Sequence, residues 1–476
     1  MIKTALIYSF SSKYLSISLQ IVTTLVLARI LTPEHIGLYT VASIVTGFIQ
    51  MFRDFGVSDY IIKTEKLDES ILSAAFSTSI LIAWPLALLL NFLSPLIGDF
   101  YGDEIVGHLI MILSLNLFLA PFGSIQMALM RKKLNYKPIS YSNICNVIVN
   151  SSLSVLLAMN DCGAISLAVS SVAGTLVTVI SIYYFSDSTL KFSFTFKGLK
   201  KVAVFGANVG AGNIINYISH YSVDMCMGKS HSLSELGQLS RGKSTVQLFS
   251  MMVTDAIMPL ISPYFAAQKQ SLNTLGEIYT KTTKLYCYLV FPFTVGTLVA
   301  SDLIILLLYG EQWLAASFYL KYLSVAFLFS SFTVFFDQLL LSQGMVTYLL
   351  KFRVAMSVIR IILAASIFYF DIEVILTGLV FVEALRFIVV QIIMELQFNL
   401  KFRFFVNNLI KPMLGGLVFT AAILPYYLVD ISSDIFSGLL ILIAGVLAWS
   451  LYMIKFDNEF LYETGLIQYI SKANND

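Results

Sequence analysis

The sequence predicts an all-α polytopic membrane protein of about fourteen transmembrane helices, and three observations predict it. The chain of 476 residues is 58% hydrophobic, with a mean hydropathy of +0.82. Only 12% of its residues are charged, against roughly 25% in a typical soluble protein. Apolar stretches of membrane length recur along the whole chain with short links between them, which leaves no room for a soluble domain. A soluble enzyme, a nucleic-acid binder and a disordered chain would each need more polar surface. The net charge of +2 supplies no long-range field for gathering polyanions.

Apolar windows place the spans at 6–31, 36–60, 71–98, 105–128, 139–159, 163–185 and 202–226, then at 235–264, 282–309, 316–343, 347–370, 373–396, 409–428 and 435–454. The first is interrupted by Lys13 and Gln20 and lacks a small-x-small cleavage site, so it reads as a retained span. Orientation follows from Lys and Arg. Clusters at Arg131, Lys132, Lys133 and Lys137, and at Lys191, Lys197, Lys200 and Lys201, fall on the side of both termini. The opposite loops are acidic, with Asp99, Asp103, Glu104, Asp371, Glu373, Asp430 and Asp434. Both termini are therefore expected in the cytoplasm.

An internal repeat organises these spans. Glu34-His35-Ile36-Gly37 is echoed 200 residues later by Ser234-Glu235-Leu236-Gly237, and Tyr101-Gly102-Asp103 by Tyr309-Gly310-Glu311. The simplest account is two six-helix lobes, 1–198 and 199–400, related by a parallel pseudo-two-fold around a central cavity. Two added helices (401–455) and a cytoplasmic tail (456–476) complete the division.

Polar stripes repeat in the same helices. Ser9, Lys13, Ser16, Gln20 and Thr24 share one face of span 1. Asn213, Asn216, His220 and Asp224 occupy span 7 at positions 200 residues beyond Lys13, Ser16, Gln20 and Thr24. Span 2 carries Ser43, Gln50, Arg53 and Asp54, and span 8 carries Lys243, Gln247, Ser250 and Thr254. A stripe of this kind cannot face lipid, so it either lines a wet cavity or is buried between helices. Its recurrence in both halves favours the cavity. Lys13, Gln20, Arg53, Asp54, Asn213, Asn216, His220, Asp224, Arg241, Lys243 and Gln247 are the candidate substrate contacts. Asp54, Asp255 and Asp337 are candidate coupling-ion or structural acids. Glu383 and Arg386, three residues apart in span 12, are expected to pair.

Two other signals carry nothing. Gly237 to Ser244 fits the G-x-x-x-x-G-K-[ST] phosphate-loop pattern, but a polar outer loop precedes it instead of a buried strand. The four cysteines and four histidines are scattered, so no metal site and no cofactor are expected.

Asp54-Phe55-Gly56-Val57-Ser58 with Ile61-Ile62-Lys63, Phe100-Tyr101-Gly102-Asp103, Leu129-Met130-Arg131-Lys132-Lys133-Leu134-Asn135-Tyr136 and Tyr309-Gly310-Glu311-Gln312-Trp313 resemble the bacterial polysaccharide-biosynthesis flippases. These belong to the multidrug/oligosaccharidyl-lipid/polysaccharide superfamily, and the resemblance covers essentially spans 1 to 12. It implies two lobes around a V-shaped cavity, alternating access, and a polyprenyl-diphosphate-linked oligosaccharide as cargo. It also implies a bacterial inner-membrane location, with a polysaccharide polymerase, chain-length machinery and proton or sodium coupling as partners, and with neither ATP nor nucleic acid. Cations in a wet cavity suit a diphosphate, and Lys13 and Arg53 lie where cytoplasmic cargo would enter. The alternative is a cation-coupled drug antiporter, for which acids should dominate the cavity. A membrane polymerase would need a large catalytic outer loop, and no link is long enough.

Overall fold

The computed structural model describes residues 2–53, 57–64, 67–186, 194–195, 199–267, 272–428 and 435–456. Among them are sixteen α-helices and no strand. In the first half these are α1 (Ile2–Ile30), α2 (Pro33–Arg53), α3 (Val57–Lys63), α4 (Glu69–Tyr101), α5 (Glu104–Lys132), α6 (Tyr136–Met159), α7 (Ile165–Tyr184) and α8 (Leu199–Ser230). The second half has α9 (Leu233–Ala267), α10 (Leu272–Leu308), α11 (Ala316–Ser331), α12 (Phe336–Ser342), α13 (Val346–Ala365), α14 (Ile372–Phe398), α15 (Phe402–Ile423) and α16 (Ile435–Phe456). Ten spans, among the described residues, are long and apolar enough to cross a bilayer. Each expected span coincides with one helix or with two consecutive helices. This is a multi-pass membrane protein.

Helix ends follow local chemistry. Asp68 caps α4 by accepting from the Ile71 amide at 2.8 Å, and this bond, with the Ser70 hydroxyl, holds its carboxyl below the usual range. Gly102, at φ 79°, closes α4, and Asp103 opens α5 one residue later.

Span 2 is described as α2 and α3, with residues 54–56 outside the described residues. One span is broken where a single helix was expected. Span 10 divides at 332–335, where the Phe336 amide turns back to the Thr333 carbonyl. The carbonyl of Phe332 then accepts from the buried Tyr279 hydroxyl at 2.6 Å. An aromatic core holds this break: Tyr279, Tyr286, Phe335, Phe336, Phe398 and Phe405 are all fully buried.

The chain forms two compact units, 1–240 and 241–476. This division differs from the expected lobe boundary at 198/199 by α8 and the start of α9. In the first unit α8 packs on α2, α3 and α4, while α1 packs on α6, and α5 on α4 and α7. In the second, α10 packs on α11 and α15, α14 on α11 and α13, and α15 on α16.

The start of α9 meets the start of α2 in a reciprocal contact. A Cβ on Gly37 would fall 1.8 Å from the Leu233 carbonyl oxygen, and one on Gly237 would fall 1.9 Å from that of Pro33. Thr40 Oγ1 donates to Ser240 Oγ at 3.3 Å. Each of these residues touches the segment 200 positions away that echoes its own. Only glycine permits so close an approach of two backbones.

Candidate functional site

Arg53 is the last described residue of α2, and α3 begins at Val57. A small cleft there is lined by Arg53, Val57, Ser58, Ser79, Pro121 and Ser124. Three hydroxyls accompany one guanidinium, a set of donors suited to an oxyanion. Lys132, from the basic run at the end of α5, instead donates to the carbonyls of Ile61 and Thr64 and so caps α3. Asp54 and the side chain of Asp59 lie outside the described residues.

Lys13 and Gln20 are exposed on α1, while Ser12, Ile17, Leu27 and Ala28 are buried. The Ser140 hydroxyl fixes α1 on α6 by donating to the Tyr8 carbonyl at 3.0 Å. Of the expected stripe, Lys13 and Gln20 are thus exposed while Ser16 and Thr24 are half-buried, with Ser16 Oγ out of reach of solvent, and Lys13 does not line the Arg53 cleft.

On α8, Asn216 is half-buried, His220 is exposed and lies edge-on to Tyr221, and Asp224 is buried at 3% exposure. The side chain of Asn213 lies outside the described residues. Tyr217, on the same helix, donates to the Ile44 carbonyl at 3.0 Å and lies where a side chain on Gly47 would stand. The helix is therefore fixed against α2 by residues between its stripe positions.

On α9, Gln247 is exposed and Lys243 half-buried. Arg241 is placed differently. It is 8% exposed, and its guanidinium carbon lies 5.4 Å from the Tyr309 ring centroid and 5.0 Å from that of Trp313. Thr245 completes this cage by donating to the Arg241 carbonyl at 3.0 Å and meeting the Tyr309 hydroxyl at 3.1 Å. Gly237 to Ser244 lie within the continuous helix α9. Their amides are committed to helical hydrogen bonds and form no phosphate cradle.

The acids expected in the second half are not isolated. Asp337 accepts from Arg353 at 2.6 Å, and Glu383 is taken by Arg360. The expected Glu383–Arg386 ion pair is present at 4.0 Å, and Arg360 of the neighbouring helix makes the closer contact through the other carboxylate oxygen. The side chain of Asp255 lies outside the described residues. All four cysteines are free, and no cluster of three or more potential metal ligands occurs among the described residues.

A polytopic helical protein with cations and polar stripes on its spans has the construction of a transporter for polar or ionic cargo. The solved structures agree on the fold. Lipid II flippase MurJ, in an inward closed conformation, superposes with a TM-score of 0.80 at 16% identity, covering 96% of this chain and all of that one. An inward-facing multidrug resistance MATE family transporter of the MOP superfamily gives 0.63 at 13% identity, covering 80% of this chain and 94% of that one.

The chain belongs to the polysaccharide biosynthesis protein family, whose model matches residues 26–318. Among curated relatives, the succinoglycan biosynthesis transport protein ExoT of Rhizobium meliloti is 23% identical over 64% of this chain. The teichuronic acid biosynthesis protein TuaB of Bacillus subtilis is 26% identical over 63%, and the lipopolysaccharide biosynthesis protein WzxC of Escherichia coli is 24% identical over 71%. The matched region spans 62% of ExoT, 62% of TuaB and 69% of WzxC.

Proposed function

We propose that this protein moves a polyprenyl-diphosphate-linked oligosaccharide from the inner to the outer leaflet of a bacterial cytoplasmic membrane by alternating access, for surface polysaccharide assembly. The observation that carries the reading is the Arg53 cleft, an arginine among three serine hydroxyls. The relatives' names, each tied to a different polysaccharide, and the MurJ-like fold support a lipid-linked glycan as the common cargo. A drug antiporter is disfavoured because Lys13, Arg53 and Lys243 outnumber the acids of the stripes.

In this mechanism Lys13 and Arg53 receive the diphosphate from the cytoplasmic side, while the lipid tail stays in hydrocarbon. Gln20, Asn213, Asn216, His220 and Gln247 offer hydrogen bonds to the sugars, whereas Asp224, buried at 3% exposure, is assigned to structure. Arg241 anchors its helix through the aromatic cage and acts on cargo indirectly. The reciprocal Gly37–Gly237 contact supports a pseudo-two-fold between lobes 1–198 and 199–400, and it closes the outer end while cargo enters from within. Asp54 and Asp255 are the acids assigned to proton or sodium coupling, whereas Asp337 is assigned to structure by its bond to Arg353. Both termini are cytoplasmic, and the polymerase and chain-length machinery take the glycan after it has crossed.

The test is a double variant. Arg53→Ala should reduce glycan export at normal protein level, since a charge-assisted bond contributes about 1.5–3 kcal/mol. If Arg53 serves only to pair with Asp54, adding Asp54→Ala removes the unpaired charge and restores export. Restoration would discard Arg53 as a cargo ligand.

A further inference from the structure

Five charged side chains of the second unit gather on α12, α13 and α14, and their charges do not balance. Arg353 of α13 donates through Nε and Nη2 to Asp337 Oδ2 of α12, at 2.9 and 2.6 Å. Arg360, seven residues further along α13 and therefore on the same face, is bonded to Glu383 Oε1 of α14. Each acid already has a guanidinium of its own. Arg386 is left over.

The Nη2 of Arg386 lies 4.0 Å from Asp337 Oδ1, and its Nη1 lies 4.0 Å from Glu383 Oε2. Both separations exceed hydrogen-bond length. Arg386 Nε, Asp337 Oδ1 and Glu383 Oε2 are buried with no hydrogen-bond partner among the described residues. The side chain of Arg386 is nonetheless 29% exposed, against 6% for Glu383. With Nε buried, that exposure belongs to other atoms of the side chain. A guanidinium is thus held between two carboxylates that attract it without hydrogen-bonding it. It sits near the middle of a 27-residue helix, and among the described residues the cluster carries one net positive charge there. A surplus charge at such depth is costly and marks an ion pathway or ligand site by default.

We propose that Arg386 binds an oxyanion, a phosphate or a carboxylate, with Asp337 and Glu383 holding the guanidinium in position. Only the origin of that oxyanion, the diphosphate or an acidic sugar of the cargo, rests on the flippase reading. The proposal separates Arg386 from its neighbours. Removing Arg353 or Arg360 strands a buried carboxylate and should destabilise the protein. Removing Arg386 leaves two matched pairs.

The experiment uses the purified full chain in detergent, titrated with inorganic pyrophosphate and, separately, with glucuronate, while its melting temperature is followed. In the absence of anion, Arg386→Gln should melt with the wild type, and Arg353→Gln and Arg360→Gln below it. Binding of at least one anion should weaken roughly ten- to a hundredfold in Arg386→Gln, with Arg386→Lys in between because an ammonium lacks the planar fork. Loss confined to pyrophosphate assigns the site to the diphosphate, and loss confined to glucuronate assigns it to a sugar acid. No binding by the wild type, or unchanged binding by Arg386→Gln, overturns the proposal. So does a low melting temperature of Arg386→Gln that Asp337→Asn restores, which would make Arg386 a structural counter-charge. None of these titrations uses lipid-linked cargo, so a failure of the flippase reading would leave their outcome unchanged.

Discussion

Gly37→Ala tests the proposal that the reciprocal glycine contact closes the outer end. The added Cβ would stand 1.8 Å from the Leu233 carbonyl oxygen, so the two helix starts must part by more than about an ångström to reach ordinary contact. The obstacle is backbone and cannot swing aside. Overpacking of this kind costs about 1–3 kcal/mol. Where the strain is relieved by opening, it shifts the closed state against the open one by about 5- to 150-fold. The assay replaces the four native cysteines, installs Thr40→Cys with Ser240→Cys, and follows disulfide formation in membranes. The two hydroxyl oxygens lie 3.3 Å apart, so the engineered thiols start near bonding range. Adding Gly37→Ala should slow cross-linking at least about fivefold at equal protein level. Gly237→Ala should do the same, and combining the two should add little, because parting the helices once relieves both clashes. Unchanged cross-linking in Gly37→Ala would refute the reasoning.

Other consequences are open to direct measurement. Reporter fusions after Asn160 and Gly310 should read external and those after Lys133 and Lys200 cytoplasmic; reversal at two of the four points would sink both the topology and the parallel repeat. Arg241→Ala should lower the melting temperature by removing a cation–π cage worth about 0.5–2 kcal/mol, with Arg241→Lys intermediate. An Arg241→Ala protein that melts like the wild type but fails to export glycan would return Arg241 to the list of cargo ligands.

The spans were legible because a membrane leaves little choice: an apolar run of about twenty residues must satisfy its own backbone, and a helix does so. The echo around Gly37 and Gly237 was visible in the sequence, but the close approach of these two glycines to each other's segments was not. The break at 332–335 was not legible, since it depends on Tyr279, which is distant in sequence and takes the Phe332 carbonyl. The i,i+3 spacing of Glu383 and Arg386 pointed to a pair, but spacing along one helix is blind to Arg360 on the next. Arg241 read as a cavity cation because its charge was visible and its cage was not. Tyr309 and Trp313 were conspicuous in the sequence, yet nothing there placed them over α9. Of the site, which cation meets which acid could not be read in advance.

The central claim is tested most directly by the leaflet in which the lipid-linked repeat unit resides when the gene is deleted. Spheroplasts of the deletion strain and of the wild type would be treated with periodate under conditions in which it does not cross the membrane, and the lipid-linked glycan then extracted and analysed. The account predicts that the glycan accumulates in the deletion strain and is protected from the reagent until the membrane is opened. It predicts modification without opening in the wild type. A lipid-linked glycan equally open to the reagent in both strains, with surface polysaccharide still produced, would contradict it.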